Sequence, residues 1–141
     1  MSFEKRFRAN VRDDPKPERR EQPRVVMIVE DDEAYRYVLT RKVRGLGYGV
    51  VEMASGLDAL AWLDGGGQID ALIADLRLPA GTPNGMSLAL MIRRRQPEAR
   101  IFLHSAFPGL AGVVEGELGR LMPKSAGMEP VIDALQQAFA A

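Results

Sequence analysis

Asp75 closes an apolar run over residues 69–74 and is followed four residues later by Pro79. A carboxylate at the C-terminal end of a buried parallel strand faces the open edge of an α/β sheet, where such folds bind ligands. Other apolar runs end in matching chemistry. Residues 25–29 run straight into Glu30, Asp31 and Asp32, and later runs lead to Ser105 and Lys124. Four acids, a hydroxyl and an ammonium then converge on one rim. The chemistry such a rim supports is phosphoryl acceptance. A carboxylate attacking a phosphoryl donor is a like-charge encounter, so a divalent cation must bridge the nucleophile and the transferring oxygens. All-oxygen ligation with retained waters suits Mg²⁺. The product gains nearly two negative charges, which an ammonium can pair and a hydroxyl can approach as a donor.

The elements that must carry these residues follow from periodicity. The apolar run 25–29 predicts a strand, and Leu39, Val43 and Leu46 at helical spacing predict a helix over 33–44, stopped by Gly45 and Gly47. Asp32 is its expected N-cap, because it precedes the periodic residues and has short oxygen reach. Residues 48–53 form the second strand, and Ser55 caps a helix bearing Leu57, Leu60 and Leu63 that stops at Gly65, Gly66 and Gly67. The third strand is 69–74. Asn84 caps a helix through Arg95 with Leu88, Met91 and Ile92 on its apolar side, closed by Pro97. Strands at 100–104 and 119–122 and a final helix, capped by Ser125 and running to Ala140, complete the pattern. Alternating strands and helices imply parallel βαβ units with right-handed crossovers, hence one sheet with helices on both faces.

Composition narrows the function classes. The 141 residues with 46% hydrophobic content suffice for one core. Cysteine is absent, which removes disulfides, thiolate metal sites and thiol nucleophiles and points to a reducing compartment. No stretch approaches the roughly 18 apolar residues of a membrane span, and the N-terminus lacks the apolar segment of a signal peptide. A cytoplasmic protein without membrane contact is expected. Lys+Arg and Asp+Glu both number 19, so overall charge makes no case for direct DNA binding. Residues 1–23 mix both charge signs with Pro15, Pro17 and Pro23 and show no apolar periodicity. They are expected to be a disordered, solvated arm, and 24–141 the domain.

Four strings, VVMIVEDDEAYRYVL, ALIADLRLP, IFLHSA and LMPKSAG, stand in the order and spacing of the receiver domain of two-component response regulators. The resemblance covers residues 24–141. It implies a flavodoxin-like (βα)5 doubly wound sandwich with a five-stranded parallel sheet in the order 2-1-3-4-5. Carried over by position, Asp75 resembles the phospho-accepting aspartate, Glu30 and Asp31 the metal-binding acidic pair, Ser105 the switch hydroxyl and Lys124 the lysine that contacts the phosphoryl group. Asp31 and Asp75 suit direct Mg²⁺ ligation, Glu30 ligation through water, and the backbone carbonyl of Arg77 supplies a neutral oxygen. The resemblance further implies a signalling module rather than an enzyme. Its partners would be a sensor histidine kinase or histidine phosphotransfer protein and a downstream protein target. No sequence remains for an attached output domain after the last helix, so a stand-alone, single-domain receiver is expected.

This sequence also departs from the family pattern. Leu121 stands three residues before Lys124, where receivers usually carry an aromatic switch residue, so ring rotation there cannot be the readout. Proline usually follows the lysine; here Pro123 precedes it and Ser125 follows. Residues 107–120 are rich in glycine and proline, which predicts a short or irregular fourth helix and an output through a change of order. The loop 79–85 is about two residues longer than is common. Among rival classes, a haloacid-dehalogenase-type phosphatase needs a second aspartate two residues beyond the nucleophile, where this chain has Arg77. An FMN binder needs a phosphate loop where Glu30, Asp31 and Asp32 would repel it. The alternative that stays open is a phosphorylation-independent pseudo-receiver acting as a constitutive binding module. His104 reads as a strand residue and Trp62 as a packing residue.

Overall fold

In a computed structural model, which describes residues 22–77, 84–106 and 119–140, the chain forms a single parallel sheet covered on both faces by helices. The strands are β1 (Val25–Val29), β2 (Gly49–Met53), β3 (Ala71–Ala74), β4 (Arg100–Ser105) and β5 (Arg120–Pro123). The described helices are α1 (Glu33–Gly45), α2 (Gly56–Asp64), α3 (Gly85–Arg95) and α4 (Glu129–Ala138). The sheet order is β2-β1-β3-β4-β5, the expected flavodoxin-like topology, and every pair is parallel. The expected arm, the added residues of the 79–85 loop and the irregular helix within 107–120 fall largely or wholly outside the described residues.

Alternation along the strands builds two cores. Met27, Val29, Leu72, Ala74, Ile101 and Leu103 face one way and pack with Ala59 and Leu63 of α2 and Leu88, Ala89 and Ile92 of α3. Val26, Ile28, Ile73 and Phe102 face the other, against Leu39 and Val43 of α1 and Val131 and Leu135 of α4. Strands buried on both faces read as continuous apolar runs, which is why periodicity found them. Trp62 packs at the margin of the first core, as expected.

Three predicted caps are present. Asp32 accepts from the Tyr35 amide at 3.0 Å, Ser55 from Asp58 at 3.1 Å and Asn84 from Ser87 at 2.9 Å. The fourth is corrected: Ser125 lies inside a 3-10 turn (Lys124–Ala126), and α4 begins at Glu129 without a side-chain cap. Gly127 at φ +87° separates turn from helix, and Pro130 starts the helix where a missing N–H costs no hydrogen bond. The third strand is also shorter than its apolar run. Ile69 donates its amide to the Gln96 side chain at 2.8 Å, whereas Asp70 adds a carboxylate contact to the Val25 amide at 2.8 Å while its backbone still pairs, its amide donating to the Val25 carbonyl at 2.8 Å and its carbonyl accepting from the Arg100 amide at 2.9 Å. Of the predicted apolar helix positions, Leu57 and Leu46 are exposed, and Ala59 takes the buried place on α2.

His104 is 2% exposed in β4 and faces α1. Its Nδ1–H donates to the Met122 carbonyl at 2.9 Å, which leaves Nε2 to accept from the Tyr35 hydroxyl. Burial holds the His104 pKa below the usual histidine value, only partly opposed by the Met122 hydrogen bond. A charged ring would have to reverse the Tyr35 hydrogen bond, with Nε2–H donating, and would give up much of its hydration.

Two expectations follow from this packing. A Cβ on Gly85 would lie 2.1 Å from the Asp75 carbonyl oxygen, against backbone that cannot yield. Gly85→Ala should lower unfolding free energy by about 1–3 kcal/mol or more in urea titration, the range for forced overpacking. Below about pH 6.5 the unfolded chain protonates His104 more readily than the folded chain, so stability contributed by the neutral ring falls as pH drops. Melting curves from pH 7.5 to 5 should therefore decline more steeply for wild type than for His104→Phe; parallel declines would count against the neutral buried ring.

Candidate functional site

The parallel register delivers the predicted residues to one edge. Glu30 follows β1, Asp75 follows β3, Ser105 ends β4 and Lys124 opens the turn after β5. Because β1 and β3 are adjacent, with Val29 opposite Ala74, Glu30 and Asp75 emerge side by side. Both are buried, at 3% and 8% exposure, whereas Asp31 is exposed. One oxygen from each of Glu30, Asp31 and Asp75 fits within a 4.8 Å cluster. Ser105 is fully buried opposite Pro123 in the β4–β5 register.

Lys124 spans the two buried acids. Its Nζ donates to Glu30 Oε1 at 2.7 Å and to Asp75 Oδ2 at 2.9 Å. The remaining carboxylate oxygens are held by backbone. The Asp32 amide donates to Glu30 Oε2 and the Arg77 amide to Asp75 Oδ1, each at 3.0 Å. Each carboxylate is thus fixed by one ammonium and one peptide N–H, which sets the orientation of its plane. Arg77 stands two residues beyond Asp75, so the residue expected to offer its carbonyl also offers its amide.

The charges respond to this arrangement. Burial raises the Glu30 pKa above the usual carboxylate value, and the hydrogen bond from Lys124 opposes that rise without cancelling it. Burial alone would lower the Lys124 pKa. The hydrogen bonds and charges of Glu30 and Asp75 outweigh it, so the ammonium titrates above the ordinary lysine value. Lys124 is therefore a fixed cation at neutral pH. Three clustered hard oxygen donors, one of them open to solvent, fit a divalent cation that retains part of its water shell.

Several supporting residues were not foreseen from sequence. Arg36 donates to the Glu30 carbonyl at 2.7 Å and also to Glu52 Oε1 at 3.3 Å, tying the end of β1 to α1 and β2. Tyr35 places its ring 4.5 Å from Lys124 Nζ and gives its hydroxyl to His104. Both residues lie in the first turn or so of α1, directly after the acidic run, and a histidine inside a buried strand must find partners for two ring nitrogens. That requirement was the available signal.

Comparison with known proteins agrees with this geometry. The response regulator receiver domain family matches residues 26–116. The chain is 29% identical over 102 residues to the sensor kinase CckA of Brucella abortus, covering 72% of this chain and 10% of that protein. It is 32% identical over 108 residues to the regulator of RpoS of Escherichia coli K12, covering 77% of this chain and 31% of that one. The chain thus spans a third or less of these relatives. Among solved structures, the receiver domain of the hybrid histidine kinase CckA superposes with a TM-score of 0.68 at 28% identity, covering 82% of this chain and 99% of that one. The Thermotoga maritima response regulator TrrA, in complex with Mg²⁺–BeF, gives 0.72 at 22% identity over 82% and 98%. An acidic strand-end cluster spanned by a lysine, a 2-1-3-4-5 parallel sheet and a family match over most of the chain lead to one assignment: the chain belongs to the response regulator receiver domain family.

Proposed function

We propose that the domain receives a phosphoryl group on Asp75 in a Mg²⁺-dependent phosphorelay and signals through a protein partner. The observation that carries this reading is the Lys124 bridge, with Nζ 2.7 Å from Glu30 and 2.9 Å from Asp75. Receiver domains are signalling modules, so the donor would be a sensor histidine kinase or a histidine phosphotransfer protein and the acceptor of the signal a downstream protein. In the transfer, a bond forms between an Asp75 carboxylate oxygen and phosphorus as the bond to the donor's leaving group breaks.

Each neighbouring group has a task. The Arg77 amide and Lys124 hold the Asp75 carboxylate in place before attack. Lys124 then pairs the added charge, and Ser105 offers its hydroxyl from the end of β4. Glu30, Asp31, Asp75 and the Arg77 carbonyl would hold Mg²⁺, with Glu30 acting through water. Bound there, the cation supplies the charge neutralisation that lets a carboxylate approach a phosphoryl donor. The Mg²⁺–BeF complex of the Thermotoga relative supports this choice of ion.

Intact-mass analysis with Mg²⁺ and acetyl phosphate tests the assignment. Wild type should gain one phosphoryl group, Asp75→Asn none, and Asp31→Asn should label at least about tenfold more slowly. Persistent labelling of Asp75→Asn would remove Asp75 as acceptor, and an unlabelled wild type would favour the phosphorylation-independent binding module.

Metal linkage gives a second test. Mg²⁺ binds the folded acids and not the unfolded chain, so the wild-type melting temperature should rise with Mg²⁺ concentration. In chelator, Asp31→Asn should be at least as stable as wild type, because it removes one of three clustered negative charges. A clearly less stable Asp31→Asn protein would show that Asp31 is structurally paired.

A further inference from the structure

We propose that Tyr35 is a positioning residue for Lys124 and that His104 holds Tyr35 in that role. The inference rests on the reading of Lys124 as the phosphoryl contact. Lysine carries its charge on a flexible four-carbon stem, so an ammonium that must meet a new phosphoryl group needs its position set from outside. Two of its three donors reach Glu30 and Asp75. On a further side stands the Tyr35 ring, with its centroid 4.5 Å from Nζ, inside the range of cation–π attraction.

The ring is fixed at both ends. Its backbone sits in the first turn of α1, where the Tyr35 amide donates to Asp32 Oδ1 at 3.0 Å. Its hydroxyl donates to His104 Nε2, since Nδ1–H is committed to the Met122 carbonyl. The two rings lie 5.6 Å apart at 39°, in contact along the sheet face. His104 immediately precedes Ser105 in β4, and Met122 lies two residues before Lys124 in β5. One hydrogen-bonded chain, Tyr35 to His104 to Met122, therefore joins the ring beside the ammonium to β4 and β5, the strands that lead to Ser105 and Lys124.

This arrangement determines what Lys124 does when Asp75 is modified. A phosphoryl group at Asp75 displaces Nζ from its 2.9 Å contact with Oδ2. The ring occupies the side toward α1, so the ammonium stays over the acids and its free donors point to the new oxygens. Leu121 is buried in the core and offers no ring. The aromatic contact to Lys124 comes from α1 instead.

The test uses the full chain with ¹³C-labelled lysine ε-carbons, which report four residues, Lys5, Lys16, Lys42 and Lys124. In wild type the Lys124 ε-protons should be shifted upfield by the Tyr35 ring relative to the other lysines. Tyr35→Leu should abolish that shift, and His104→Phe and Tyr35→Phe, which each keep the ring face and remove the hydroxyl–imidazole anchor, should both reduce it without abolishing it. With acetyl phosphate and Mg²⁺, Tyr35→Leu should lower the limiting labelling rate about two- to thirtyfold, the rate equivalent of one cation–π contact, without changing the half-saturating donor concentration. Tyr35→Phe should recover part of that rate, as it keeps the ring and loses the His104 anchor. A Lys124 resonance without a ring shift, or one unchanged in Tyr35→Leu, overturns the proposal, as do equal rate losses in the Leu and Phe variants. A wild-type protein that takes no label overturns the proposed function alone, because the resonance arm still decides where Tyr35 holds Lys124.

Discussion

Two buried carboxylates cannot share a strand edge unless a cation stands between them, and the rest of this site is built around the ammonium that does so. At about 4 Å, two like charges near a protein surface repel by about 4 kcal/mol, an amount comparable with much of a small domain's stability. Lys124 answers that repulsion with two short hydrogen bonds, one to each acid. Backbone amides from Asp32 and Arg77 take up the other oxygens. The raised Glu30 pKa shows that burial is still not fully offset. The pocket thus retains electrostatic strain that additional positive charge would relieve, and that strain is what a divalent cation would exploit.

The sheet makes this possible without any contact in sequence. Lys124 lies 94 residues from Glu30 and 49 from Asp75, yet parallel pairing brings all three strand ends to the same height. Close packing at Gly85 adds a second constraint. The N-terminus of α3 lies so near the Asp75 carbonyl that no side chain fits between them. The segment carrying Asp75 is consequently held by β1 through its amide, which donates to the Val29 carbonyl at 3.2 Å, and by the first residue of α3.

Sequence revealed the parts whose cause is local. Continuous apolar runs gave the strands, helical spacing gave α1 and α3, and short polar residues before each helix gave three of four caps. The acids at strand ends were legible in combination, because two runs end in acids and a third leads to a lysine; a single acid after a strand is often only a cap, as Asp32 is. What sequence did not reveal depends on partners far along the chain. Ile69 opens the run but gives its amide to the Gln96 side chain, and Asp70 adds a carboxylate contact to the Val25 amide beside its own backbone pairing. Ser125 has the right residue type for a cap, and the left-handed Gly127 two residues later decides against it. His104 was read as a strand residue, which is its place. Its function as an anchor for Tyr35 depends on that side chain reaching from α1 to β4, a tertiary fact that no local pattern encodes.

The location of Lys124 also bears on how a change at Asp75 would spread. Asp75, Glu30 and their strands lie in the middle of the sheet, covered on both faces and paired on both sides. Lys124 follows β5, a four-residue strand at the sheet edge with, among the described residues, a partner on one side only. Edge strands are held by fewer backbone hydrogen bonds than central ones, so their displacement disrupts less of the fold. An altered charge at Asp75 acts on a rigid centre through Glu30 and on a more compliant edge through Lys124. Modification of Asp75 is therefore expected to act through the compliant route. Its direction is set by what restrains β5, namely the pairing of Leu121 with Leu103 and of Met122 with His104, together with the His104 bond to the Met122 carbonyl. The edge of the sheet, rather than its core, is therefore where this fold can convert a change of charge into a change of shape.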